Sequence, residues 1–194
     1  MDKTIIGKFS IIAQILVITV ILLVTTNGFC QPARGDNFIS DFVESDRSVP
    51  TLSYWHVWTD DKSISHQTQC ELSDFQQQSM GGDAAPQWND LLLTAEAKII
   101  FAELPVGWIG EWHENPKPQW IIPLSGKWFV ETMDGVRVEM GVGEVSFGGD
   151  QNTKLDVEGH RGHLSGTVGN EPAKLAIVQL KGERWLRSRP GDFK

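Results

Sequence analysis

From Thr51 onward the chain consists of short runs of β-branched, aromatic and alternating residues, each interrupted by a turn signal before a helix of ordinary length could form. The runs cover residues 52–58, 66–72, 98–104, 119–124, 128–132, 136–140, 144–147, 163–168 and 175–180. Between them stand Asp60-Asp61, Gly81-Gly82-Asp83, Ser125-Gly126, Asp134-Gly135, Gly148-Gly149-Asp150 and Gly169-Asn170. Asp134-Gly135 between two alternating runs is the strongest local signal and reads as a two-residue hairpin turn. Strands this short at this spacing predict an all-β sandwich or barrel. The only helix candidates, at 73–78 and 88–93, are brief.

Nineteen Gly, nine Pro and eight Trp in 194 residues agree with a turn-rich β domain, and the length fits one such domain. A formal net charge of −8 excludes a nucleic-acid binder that relies on a general basic surface. Two Cys exclude a disulfide scaffold or a Cys-rich zinc module. No phosphate loop, Gly-x-Ser-x-Gly elbow or His-Glu-x-x-His signature occurs.

The first thirty residues read as a targeting segment. Lys3 and Lys8 precede an apolar run at 11–24, which is followed by the small and polar Thr25, Thr26, Asn27 and Gly28. At 1.5 Å per residue the run spans ~21 Å, short of a ~30 Å hydrocarbon core. Residues 1–30 are therefore a signal peptide cleaved after Gly28 or Cys30, or an uncleaved N-terminal membrane anchor. Either way the remainder is secreted or periplasmic, or faces out of the cytoplasm on its anchor, and the membrane is a partner only through residues 1–30. If Cys30 survives processing, a Cys30–Cys70 bridge is open to it in an oxidising space. Otherwise Cys70 is a small residue packed in a strand. Residues 31–50 read as a linker or N-terminal arm, 51–184 as the barrel, and 185–194 as a C-terminal tail.

Chemistry concentrates between residues 107 and 163. The segment Gly107-Trp-Ile-Gly-Glu-Trp-His113-Glu-Asn115-Pro-Lys-Pro-Gln119-Trp-Ile-Ile-Pro-Leu-Ser-Gly126 spaces its residues as Gly, five, His, one, Asn, three, Gln, six, Gly. This resembles the first motif of the cupin superfamily, which carries His, His and Glu at the three polar places. Residues 140–150 are similar to the strand and turn before the second cupin motif, and 162–168 to the strand bearing its single His. The likeness spans about 94–180 and is nearest to small single-domain cupins of uncharacterised function, in which Gln often replaces the Glu. It implies a jelly-roll barrel of two antiparallel sheets and a metal site drawn from His113, Asn115, Gln119 and His163.

The residues themselves support part of that. His113 and Asn115 lie two apart on an extended segment and so share a face, and a turn at 116–118 returns the chain so that Gln119 can join them. On a strand His160 and His163 face opposite ways. The alternating run after His163 makes it the inward residue, and His160 is the alternate if Gly159 and Gly162 bend the chain. His56 and His66 read as surface or satisfied core residues, and Glu144 and Asp150 as solvated carboxylates at strand ends. Two neutral amides replace an imidazole and a carboxylate, which removes the one anionic donor and leaves poor ligands for Fe, Mn, Ni or Zn. Any such ion on His113, Gln119 and His163 would be weakly bound. Two functions follow from the same pocket of His113, Asn115, Gln119 and His163. One is a module that binds a small polar molecule. The other is a metal-dependent oxygenase, isomerase or lyase with a degenerate site. A homodimer is compatible with both.

Overall fold

The computed structural model describes residues 31–32, 49–82, 84–91 and 96–193. Residues 1–30, read from the sequence as a signal or anchor, and nearly all of the expected arm 31–50 lie outside the described residues. The described residues form twelve strands: β1 (Gln31–Pro32), β2 (Leu52–Thr59), β3 (Ser65–Leu72), β4 (Gln76–Gln78), β5 (Gln87–Asn89), β6 (Ala97–Leu104), β7 (Gln119–Ser125), β8 (Lys127–Thr132), β9 (Arg137–Met140), β10 (Val145–Gly149), β11 (His163–Val168) and β12 (Ala173–Leu180). No described residue is helical, and among the described residues no helix is long and apolar enough to cross a membrane. The fold class is all-β.

Seven strands form one sheet in the order β1-β3-β2-β10-β7-β12-β6, three form a second as β11-β8-β9, and β4 pairs with β5 alone. Pairing does not close on itself, since the large sheet stops at β1 and β6. Each run read from alternation is a strand, with ends shifted by a residue or two. Among the described residues neither helix candidate is helical: Gln76–Gln78 and Gln87–Asn89 pair as a small antiparallel ribbon. A run of glutamines has no apolar face to hold a helix against the core, whereas a backbone ladder needs none. The Asp134-Gly135 hairpin joins β8 to β9, but its loop holds three residues, because Thr132 N–H donates to Val136 C=O at 2.9 Å. Gly135 takes the left-handed position (φ 79°) that such loops require.

Alternation along β2, β10, β7 and β12 sorts their side chains onto two faces. On the inner face Val57, Ile121 and Leu175 pack with Trp128, Val130, Val138 and Met140 of the small sheet. On the outer face Tyr54, Cys70, Trp120, Phe147 and Leu180 are covered by Trp185 and Phe193. Trp185 and Phe193, from the segment expected from the sequence as a C-terminal tail, are thus part of the core. Each large apolar side chain buried in this way stabilises the fold by roughly 1.5–3 kcal/mol. Buried Cys70 is disulfide-bonded, and the other cysteine of the chain is Cys30.

Candidate functional site

His163 opens β11 and forms an isolated antiparallel bridge with His113. Each residue's N–H donates to the other's C=O at 2.9 Å. Residues opposed in this way present their side chains on the same face, and the two rings lie side by side with centroids 4.6 Å apart and planes inclined at 47°. His163 is buried and His113 is exposed. Gly162 makes the bridge possible. Its backbone is left-handed (φ 71°), and a Cβ there would collide with the His113 carbonyl.

Behind the rings lies a row of polar side chains. Gly148, Gln119 and Gln179 stand level across β10, β7 and β12 on the inner face of the large sheet. Gly148 has no side chain, and a Cβ there would overlap the amide of Asn115, which occupies that space. Asp150 follows β10 and is wholly buried. Its Oδ1 accepts from the backbone N–H of Asn115 at 3.0 Å and from Asn115 Nδ2 at 2.6 Å, while its Oδ2 lies 2.7 Å from His163 Nδ1. Gln119 Nε2 donates to Asn115 Oδ1 at 2.6 Å, and Gln179 Nε2 donates to Gln119 Oε1 at 2.9 Å. The direction of this chain follows from its end. A carboxylate only accepts, so Asn115 must turn its NH2 towards it and its oxygen towards Gln119, which then turns its own oxygen towards Gln179.

The same logic fixes the imidazoles. Asp150 obliges His163 to carry a proton on Nδ1. His113 Nδ1 lies 2.7 Å from the Glu111 carbonyl, another pure acceptor, and carries a proton for the same reason. When neutral, both rings therefore hold their lone pair on Nε2. Burial by itself pushes the Asp150 carboxyl up. The His163 ring and the two Asn115 N–H donors outweigh that and hold it below the ordinary carboxylate range.

Four residues singled out in the sequence, His113, Asn115, Gln119 and His163, meet in this cluster. His160 does not. It lies on the loop before β11, stacked on Trp112 at 4.2 Å with planes 18° apart, and its backbone N–H donates to Asp156 at 2.8 Å. The segment with Gly159 and Gly162 does bend, yet the inward residue is His163. Three members were missed: Asp150, Gln179, and Gln151, whose Nε2 donates to the Asn115 carbonyl at 3.1 Å. Asp150 looked like a solvated turn residue after two glycines. Gln179 carried a readable signal, a polar side chain within the otherwise apolar run 175–180 of β12.

The donor set does not fit a tightly held transition metal. Asn115 and Gln119 spend their amides on Asp150, on each other and on Gln179, and Asp150 is committed to His163 and Asn115. Two imidazoles remain. Among the described residues no group of three or more His, Cys, Asp or Glu side chains is placed to hold a metal ion. The other histidines serve elsewhere. His56 is buried with Nε2 3.2 Å from Ser188 Oγ, and His66 ties the β2–β3 turn to the β8–β9 turn between Asp60 (3.1 Å) and Asp134 (2.7 Å). No protein-family model matches the chain, and no curated protein sequence matches it.

Proposed function

We propose that this is an exported, cupin-like binding protein that takes a small polar ligand at the His113–His163 end of the space between its sheets. One observation carries the reading: each Nδ1 is tied to an oxygen that only accepts, so both rings offer an Nε2 lone pair to hydrogen-bond donors of a ligand. The cupin likeness of residues 107–126, the packing of a large sheet on a small one, and a disulfide suited to an oxidising compartment support the wider assignment. The jelly-roll barrel, the pocket set His113, Asn115, Gln119 and His163, and the homodimer belong to the same proposal. Within it Asn115 and Gln119 act behind the surface, as positioning residues that orient Asp150 and through it His163.

The test is a thermal-shift screen of small amines, alcohols and amides, repeated on three variants. A ligand of this site loses its shift in His113→Ala and His163→Ala and keeps it in His160→Ala. Hydrogen bonds left unmade at a buried site cost about 1–3 kcal/mol, or about 5- to 150-fold in affinity. A hit indifferent to both His113 and His163, or equally sensitive to His160, would refute the assignment. Elemental analysis of the natively purified protein addresses the metal-dependent enzyme. A stoichiometric transition metal lost with His163→Ala would favour that function instead.

A further inference from the structure

A cavity of about 330 Å³ opens at the C-terminal ends of the parallel pair β2 and β10, with Leu186, Arg187 and Arg189 among its lining residues. Its volume falls at the small end of ligand clefts, enough for a molecule of monosaccharide size. Two of its lining residues, Thr59 and Gln151, are only 7% and 9% exposed, yet Thr59 Oγ1 and Gln151 Oε1 have no hydrogen-bond partner. Turning the Gln151 amide over would not help. Its Nε2 already donates to the carbonyls of Asn115 and Gly148, so the oxygen is left as the orphan. Ser63 and Asn152, the two non-glycine residues with left-handed backbone among the described residues (φ 67° and 70°), line the same cavity.

The charges around it narrow the ligand. Arg187 lines the cavity and has neither a hydrogen bond nor an ion pair among the described residues. Arg189 is already engaged by the Thr59 carbonyl and by Asp61 at 2.9 Å. Asp60 and Asp61 also line the cavity, so a dianion such as phosphate meets repulsion there, whereas one carboxylate can be balanced by one guanidinium. The orphan Gln151 oxygen needs a donor, and the orphan Thr59 hydroxyl needs a donor or an acceptor. Hydroxyl groups supply both.

We propose that this cavity is a binding site for a small hydroxylated carboxylate of the sugar-acid or hydroxy-acid class, with Arg187 on the carboxylate and Thr59 and Gln151 on hydroxyls. The site shares Gln151 with the polar row behind the histidine pair, but its ligand does not depend on that assignment. Galacturonate and gluconate are suitable probes, compared by calorimetry and thermal shift with galactose and inorganic phosphate. Both acids raise the melting temperature saturably, and galactose and phosphate bind at least about tenfold more weakly. Arg187→Gln, at an exposed position, lowers affinity for the acids about tenfold or more. Thr59→Val replaces an unpartnered hydroxyl with a methyl, so the unliganded protein keeps its melting temperature while acid binding weakens severalfold. His113→Ala, at an exposed ring whose hydrogen bond goes to the Glu111 carbonyl, leaves acid binding unchanged, which distinguishes this site from the other. The proposal falls if neither acid gives a saturable shift, if phosphate binds as well as the acids, or if binding ignores both Arg187→Gln and Thr59→Val.

Discussion

At the scale of single residues, Asp150 governs the polar row because it can only accept. Asp150→Asn keeps an oxygen for Asn115 but presents an NH2 to His163, which must then move its proton from Nδ1 to Nε2. Imidazole ¹⁵N shifts should show that exchange of tautomers, with a stability loss of about 1–3 kcal/mol for the reorganised buried bonds. An unchanged tautomer would mean that Asp150 does not orient the ring. His56 supports a second prediction. Burial, with the nearby Arg189 charge adding to it, pushes its pKa down to about 3. A depressed base favours the folded state fully above the unfolded value of about 6.5 and loses that contribution as pH falls towards 3, because the unfolded chain takes up the proton first. The wild-type protein should lose on the order of 5 kcal/mol across this window from His56 alone. His56→Gln, which can still reach Ser188, should flatten the acid limb of a denaturant-midpoint series.

Elements show where sequence reading succeeded and where it stopped. The β2, β3, β7, β11 and β12 runs were legible because one or both faces are buried and alternation records burial. The β4–β5 ribbon was not, since glutamines leave no such record. The convergence of His113, Asn115 and Gln119 was readable from spacing and that of His163 through the cupin likeness, but Asp150 was not readable, because nothing local distinguishes a buried carboxylate after Gly-Gly from a solvated one. The edge strand β6 carries an anomaly of the opposite kind. Ile99 and Phe101 are 65% and 74% exposed, with Ile122 and Leu124 beside them on the outer face. An apolar open edge is a pairing site. A twofold axis normal to the sheet preserves its faces, so partners must share a face. Centred on Ile100, the register sets Ile99 opposite Phe101 of a second copy, Lys98 opposite Ala102 and Ala97 opposite Glu103, with no like charges opposed. The parent should elute as a dimer and Phe101→Lys as a folded monomer, its monomer stability changed by less than about 0.5 kcal/mol. A parent that is monomeric at all concentrations in light scattering would rule out the self-pairing edge.

For the whole molecule, the disulfide links processing to stability. Cys70 is bonded and Cys30 is the only other cysteine of the chain. Non-reducing peptide maps of the natively purified protein should therefore join a Cys30 peptide to a Cys70 peptide. Retention of Cys30 is compatible with cleavage after Gly28 or with an uncleaved anchor, and not with cleavage after Cys30. Reduction should cost about 4 kcal/mol on the loop-entropy account, read as a drop in the denaturant midpoint. A mature protein that begins at Gln31 would contradict this.

The covering of the outer face by Trp185 and Phe193 bears on when the protein can fold. These residues are synthesised after every strand, and β2 must also wait for β10 to find its parallel neighbour. Until then Tyr54, Trp120 and Phe147 have no lid, so the growing chain has no finished core to commit to. Under the export proposed above, that delay would let the chain reach the translocation machinery still loose enough to be threaded, and close only on the far side.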